Sequence, residues 1–149
     1  MKILRLCFII IILSLLLFSC KKGSNGPEPV VQDTSKPMIS LTDPINNKTA
    51  IIGSALHLQM ELRDNVELKS YKVVITKSLK GVATSDWTFS QTWPITAGKK
   101  TYTVIQNEIT IPLTVTGNQT TTGNYDLSIS CLDTSGNESL ISINIIVNK

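Results

Sequence analysis

The stretch YDLSISCLDTSGNESLISINIIV, residues 125–147, has the most regular hydropathy pattern in the chain. Apolar and polar side chains alternate along it on both sides of a short polar loop, 133–137. Alternation with a period of two is typical of a β-strand with one buried and one wet face, and Asp, Ser, Gly and Asn form turns. The stretch therefore predicts an antiparallel hairpin. The apolar positions that follow this period are Tyr125, Leu127, Ile129, Cys131, Ile141, Ile143, Ile145 and Val147.

The same period extends back through the chain to residue 37. Between residues 37 and 124 it is clearest at 55–63, where leucine and methionine side chains alternate with polar ones. No window favours a helix, and turn residues recur at short intervals. The pattern predicts an all-β fold, a single immunoglobulin-like β-sandwich of about seven to eight antiparallel strands at residues 37–149. The other candidate strands lie near 38–41, 50–52, 71–76, 87–93, 102–104 and 109–113.

The N-terminal residues have the features of an export signal. Lys2 and Arg5 precede the apolar run 7–18, which Ser14 alone interrupts. A membrane-spanning helix needs about 20 apolar residues, so this run is short for one and fits the core of a secretory signal peptide. The alternative is an uncleaved N-terminal membrane helix.

The run ends in LFSC, residues 17–20, which resembles a bacterial lipobox. The resemblance implies that Cys20 is acylated and that residues 1–19 are a lipoprotein signal peptide. Residues 20–36, rich in Gly, Pro and polar side chains, are then a flexible linker between the lipid and the domain. We expect a lipid-anchored protein of the bacterial cell envelope, in the outer membrane, with its periplasmic or surface orientation left open.

Charge and cysteine content narrow the function classes. The sequence has 14 basic and 11 acidic side chains and a formal net charge of +3. Without Lys2 and Arg5 the chain is close to neutral and has no basic stripe with interleaved aromatics, so nucleic-acid binding is not expected. Of the three cysteines only Cys131 would remain free after processing, which excludes an intramolecular disulfide.

Several short motifs, taken in order, resemble one family. Tyr125, two residues after Gly123, resembles a tyrosine corner, in which the hydroxyl bonds back to the backbone. The others are PMISL at 37–41, DNVELKSY at 64–71, WTF at 87–89, GK at 98–99, ITIP at 109–112 and DTSGN at 133–137. Together they are similar to small Bacteroidetes lipoproteins with an immunoglobulin-like domain of unknown function. Histidines in the middle hairpin of many members suggest metal binding. This chain has Thr103, Ile105 and Gln106 there and no histidine, so the resemblance leaves open whether that metal role extends to this chain.

The sequence does not predict an enzyme. His57, the only histidine, lies on the wet face of a predicted strand. Cys131 is in phase with buried positions, whereas a nucleophilic thiol needs an exposed, electropositive setting. Glu61, Asp64 and Glu67 surround one turn, and carboxylate pairs can hydrolyse glycosides, but solvated loop charges are the simpler interpretation. No cofactor is expected.

Two sets of residues are candidates for ligand binding. Trp87, Phe89 and Trp93 share a spacing of two and could form a stacking platform for a carbohydrate; alternatively they fill the core. Acidic loops could bind Ca²⁺, which takes six to eight oxygen ligands, although the loop 133–137 is also a plausible hairpin turn. The weak candidate metal ligands are Asp133, Asn137 and Glu138 in one loop, and Asp64, Asn65 and Glu67 in another.

The leading functional hypothesis is a lipid-anchored binding or adhesion module for a protein or a glycan. Its predicted partners are the membrane, through Cys20, and that unknown ligand, and the oligomeric state stays open. The alternatives are a structural spacer lipoprotein without a specific ligand and a metal-binding envelope protein. Because β-sandwiches support many functions, the fold alone does not decide among these.

Overall fold

β-Strands are the only regular elements in residues 31–78 and 83–149, the part of the chain that the computed structural model describes. The predicted all-β fold is confirmed. The predicted signal peptide, 1–19, and Cys20 lie outside the described residues. The strands are β1 (Met38–Asp43), β2 (Lys48–Ile51), β3 (Ala55–Arg63), β4 (Leu68–Lys77), β5 (Phe89–Pro94), β6 (Thr101–Thr110), β7 (Thr114–Val115), β8 (Asn118–Gln119), β9 (Gly123–Asp133) and β10 (Glu138–Asn148).

The strands form a β-sandwich of two main sheets. One sheet has the order β1-β3-β6 and the other β2-β10-β9-β4-β5, and β7 pairs with β8 in a small hairpin. The described strands number ten rather than seven or eight, because β7 and β8 have two residues each and are too short to show a period. All pairings are antiparallel except β2 with β10, which is parallel.

The core lies between the two main sheets. In β3, Leu56, Leu58, Met60 and Leu62 are each at most 3% exposed, and the residues between them face outward. The alternation read from the sequence is therefore the alternation of burial. Each such side chain contributes roughly 1.5–3 kcal/mol when it is buried, so the register of β3 is strongly fixed.

A tyrosine ties the start of β9 to the preceding loop. The Tyr125 hydroxyl donates to the carbonyl of Thr121 at 2.7 Å and accepts the backbone N–H of Trp87 at 3.4 Å. The Tyr125 side chain is fully buried. This is the backbone bond that the predicted tyrosine corner requires.

Four loops meet at one end of the sandwich, here named the aspartate end: residues 32–37, 64–67, 98–100 and 134–137. Backbone bonds join them, from Leu68 to the carbonyl of Lys99 (2.8 Å) and from Thr134 to that of Glu67 (3.0 Å). The Asn65 side chain donates to Asp33 at 2.9 Å. Within the described residues, no helix has the length and hydropathy to cross a membrane.

Candidate metal centre

Three aspartates converge at the aspartate end. Asp33 precedes β1, Asp64 follows β3, and Asp133 is the last residue of β9. One carboxylate oxygen of each lies within 4.8 Å of the other two. Asp133 is fully buried, and Asp33 and Asp64 are partly buried. Segments far apart in the sequence therefore place three acidic side chains around one point.

The loop geometry holds each carboxylate by hydrogen bonds. Asp64 Oδ2 accepts the backbone N–H groups of Val66 and Glu67, both at 2.8 Å, as in an Asx turn. Asp133 accepts two bonds from Asn137, one from its backbone N–H at 2.8 Å and one from its side-chain amide at 2.7 Å. These bonds fix the orientation of both carboxylates.

Asp33 is held in the same way by the two neighbouring loops. Its Oδ1 accepts the Asn65 side-chain amide at 2.9 Å and the backbone N–H of Ser35 at 3.0 Å. These bonds, the first above all, hold the pKa of Asp33 below its ordinary value. Asn137 also donates to the backbone carbonyl of Asp33 at 3.2 Å. Asp33 is therefore ionised at neutral pH and attached to both loops.

Two oxygens in this cluster have no hydrogen-bond partner. Asp33 Oδ2 and Asp64 Oδ1 are buried, and no described group donates to either. Two unit charges 4.8 Å apart repel by roughly 3 kcal/mol at an effective dielectric of about 20. Burying a polar atom without a hydrogen-bond partner adds a further cost to the folded state. The ion pairs formed by the described residues join Lys48 and His57 to Asp43 and Arg63 to Glu61, so none neutralises the cluster.

A cation with a preference for oxygen ligands fits this arrangement. Ca²⁺ accepts carboxylate and carbonyl oxygens in flexible geometry. The cluster offers three carboxylates and no imidazole or thiolate, the ligands that structural Zn²⁺ sites prefer. The unpartnered oxygens of Asp33 and Asp64 are the atoms that such an ion would contact first.

Residues 18–148 match the family described as Domain of unknown function (DUF4625). The chain belongs to this family. No curated protein matches the chain. The predicted resemblance to a family of unknown function is therefore confirmed at this level. Because the DUF4625 description names no activity, the function of this domain has to be argued from its geometry.

The structure places some of the predicted metal ligands of the DUF4625 domain in the cluster and the others outside it. Asp64 and Asp133, predicted in separate sets, come together in one cluster. Asn65 and Asn137 donate hydrogen bonds to the aspartates, so their amide nitrogens orient the ligands. Glu138 is exposed beside Leu140 in a groove on the outer face of the five-stranded sheet.

The remaining partner of the cluster, Asp33, was not predicted from the sequence. It lies within the predicted flexible linker, 20–36, yet the compact unit begins at Gln32. The signal that could have found it is a repeat: Asp33-Thr34-Ser35 has the same three residues as 133–135. Glu67, the other predicted ligand, accepts the backbone N–H of Gly98 instead.

The candidate aromatic ligand residues pack mainly inside the DUF4625 domain. Trp87 is 5% exposed and lies 6.0 Å from the ring of Tyr125. Trp93 stacks on Tyr71, with centroids 5.1 Å apart and planes 13° apart, and Phe89 lies 6.2 Å from Trp93. Phe89 and Trp93 on β5 are half-buried. Trp87 presents no free face, and Tyr71 covers one face of Trp93.

His57 and Cys131 lie in different surroundings. His57 Nδ1 is 2.7 Å from Asp43 Oδ2, and Lys48 pairs with the other oxygen of that carboxylate. Cys131 is fully buried, and its pKa is raised to about 11 by burial and then by the charges of Asp64 and Asp133. A thiol with that pKa stays protonated at neutral pH and is a poor nucleophile.

Proposed function

We propose that this DUF4625 domain is a Ca²⁺-stabilised binding module of the bacterial cell envelope, anchored by a lipid on Cys20. The observation that carries the cation is the pair of buried, unpartnered oxygens on Asp33 and Asp64, next to the carboxylate of Asp133. The anchor rests on the lipobox-like motif at 17–20. The binding role is the leading hypothesis for a small anchored sandwich in which His57 lies against Asp43 and the thiol of Cys131 is buried.

The cation has a mechanical consequence for an anchored domain. Asp33 belongs to the segment that leads into β1, whereas Asp64 and Asp133 belong to the loops after β3 and β9. An ion bound to all three would join the entering segment to the body of the sandwich. Without it, mutual repulsion of the carboxylates favours release of that segment. Ca²⁺ would therefore set how firmly the segment that leads into β1 is held against the sandwich.

The partner that the surface favours is a protein rather than a glycan. A stacking platform needs free aromatic faces, and Trp87 offers none. The outer face of the five-stranded sheet carries a shallow groove of about 710 Å³, lined by Met38, Val74, Ser130 and Leu140 among others. Leu140 is 67% and Met38 54% exposed. Lys36, Lys72 and Glu138 also line this groove. Exposed apolar side chains surrounded by polar and charged ones resemble the apolar centre and polar rim of a protein interface, where methionine is enriched.

Thermal unfolding of the whole chain in detergent tests the cation. We expect a higher Tm in Ca²⁺ than in EGTA, because an ion at about 100 times its Kd stabilises the folded state by about 2.7 kcal/mol. Asp33→Asn should lose most of this shift. Glu138→Gln is the matched control and should keep it, since Glu138 lies outside the cluster. Equal Tm values for the wild-type chain in Ca²⁺ and EGTA would reject the cation.

Two further measurements test the anchor and the partner. Cys20→Ser should abolish metabolic labelling with a radioactive fatty acid, and continued labelling would reject the anchor. A photo-crosslinking amino acid at Leu140 should give one defined protein adduct in intact envelopes. The same group at Leu113, which is 68% exposed outside this groove, is the control. A saturable Tm shift with a polysaccharide and no adduct would favour a glycan instead.

A further inference from the structure

One edge of β6 is unpaired in the part of the chain that the structure describes. β6 is the last strand of the order β1-β3-β6 and has ten residues. It contains no proline, and Glu108 is its only charged residue. The pairing of β6 with β3 is irregular between Gln106 and Ile109, so the regular part of its open edge is residues 101–106. Natural edge strands are usually short, charged, bulged or interrupted by proline. The facing edge strand β5 follows this rule, with six residues that end at Pro94.

The register shows which backbone groups of β6 are free. Arg63 pairs with Thr101, and the N–H of Asp64 donates to the carbonyl of Lys100 at 2.8 Å. Hydrogen-bonded and non-hydrogen-bonded pairs alternate along an antiparallel ladder. Residues 102, 104 and 106 therefore direct their N–H and C=O groups to β3. Thr101, Thr103 and Ile105 direct theirs away from it, to the open edge.

This edge is complementary to itself when it is turned by a two-fold axis. If Val104 faces Val104 of a second copy, Thr103 lies opposite Ile105 of that copy, and the free groups exchange about four hydrogen bonds. Ile105 is 63% exposed in the single chain, and a β-branched pair of this kind is favourable across strands. The N–H and C=O groups of β6 that do not bond to β3 are thus the ones that would bond to the second copy.

The charges beside β6 favour the antiparallel direction. Lys99 and Lys100 precede the strand, and Glu108 lies near its other end. Antiparallel pairing brings the lysines of each copy to Glu108 of the other. Parallel pairing would place like charges together. A shift of two residues would place Gly98 or Tyr102 opposite Glu108 in place of Lys100.

We propose that two copies of the chain associate through β6 in this antiparallel register. The pairing joins the two three-stranded sheets into one continuous sheet with the order β1-β3-β6-β6-β3-β1. It is an isologous contact, in which one surface meets the same surface of the second copy, so that it closes at a dimer.

Sedimentation of the whole chain in detergent, over a range of concentrations, tests this pairing. We expect a monomer–dimer equilibrium for the wild type. Thr103→Pro removes an N–H that points away from β3, so the ladder inside the domain is kept, and the dimer Kd should rise at least about tenfold. Circular dichroism confirms that this variant is folded. If the wild type is monomeric at all concentrations, the proposal is overturned, and the open edge of β6 is available to a strand of another protein.

A charge exchange gives a second test that does not depend on proline. Glu108→Lys and Lys100→Glu should each weaken the dimer, because Lys100 lies opposite Glu108 when Val104 faces Val104, and like charges then meet at both ends. Mixing the two variants in equal amounts should restore dimers, since each variant carries the charge that the other lacks. Equal association of the wild type, both single variants and the mixture would show that β6 is not the contact, and would overturn the proposal.

Discussion

The aspartate end and the surface around Asp43 show two ways of placing carboxylates in one small domain. Asp43 is paired on one oxygen with Lys48 and on the other with His57, at 2.7 Å. Burial alone would raise its pKa, but the bonds from Lys48 and His57 outweigh it and lower the pKa. At the aspartate end, three carboxylates meet without a cationic side chain among the described ion pairs.

The stability of these two regions should depend differently on the ions in solution. The charge of Asp43 is balanced inside the chain, so its contribution to stability should not depend on added ions. No ion pair among residues 31–78 and 83–149 balances the charges of Asp33, Asp64 and Asp133, so their contribution should depend on added cations. Substitutions that are chemically alike should therefore act differently at the two places, and their Ca²⁺ dependence is the quantity to compare.

The largest expected effect is that of Asp133→Ala. Asp133 is fully buried and accepts both bonds from Asn137. Its loss leaves buried donors unpaired, and we expect a destabilisation of about 2–4 kcal/mol. Asp43→Ala, at a carboxylate whose side chain is 23% exposed, should cost about 1 kcal/mol or less. Urea unfolding in EGTA measures both, and equal losses would remove the distinction between the two regions.

A smaller effect that changes sign is expected for Asp64→Asn. Without Ca²⁺, the asparagine oxygen can still accept from Val66 and Glu67, while its amide can donate to a neighbouring carboxylate. The variant should then be as stable as the wild type or more stable, by about 1 kcal/mol. In saturating Ca²⁺ it should be the less stable of the two, because a charged ligand is missing.

Asp43→Asn is the matched comparison for this sign change. It also removes one charge, but from a site where Lys48 supplies the opposite charge and His57 lies within hydrogen-bond distance. Its loss of stability should be the same in Ca²⁺ and in EGTA. Chemical unfolding of both variants in both solutions gives the four values that are needed. If Asp64→Asn is destabilised equally with and without Ca²⁺, the cluster does not hold the ion.

The sequence predicted the parts of the fold that a period of two can encode. β3, β9 and β10 alternate over nine to eleven residues, and their buried positions were read directly from the pattern. The period of a strand does not determine which strand it pairs with, so the parallel pairing of β2 with β10 was not predicted. β7 and β8 were not predicted, since two residues are too few to show a period.

The candidate site was predicted in part for a related reason. Asp64 and Asp133 each lie in a turn next to a strongly patterned strand, so the sequence marked both loops. Asp33 lies outside the sandwich pattern, in a segment whose composition is that of a linker. Its hydrogen bonds to Asn65 and Asn137 join residues 32 and 104 positions apart. Contacts over such separations follow from the folded topology and leave little local trace.

The smallest expected effect is on the thiol beneath the cluster. Burial, then Asp64 and Asp133, raises the pKa of Cys131 from 9.0 to about 11. A pKa raised by folding adds stability that is complete below the unfolded pKa and is lost as pH rises toward the folded one. Bound Ca²⁺ should offset the rise in pKa that comes from Asp64 and Asp133, but not the larger rise that comes from burial. We therefore expect Ca²⁺ to lower the pKa of Cys131 while leaving it above 9.0. The ¹³C chemical shift of the Cys131 Cβ, titrated in Ca²⁺ and in EGTA, measures the change. In Asp64→Asn the difference should shrink, and an identical thiol pKa in both solutions of the wild type would place the ion elsewhere.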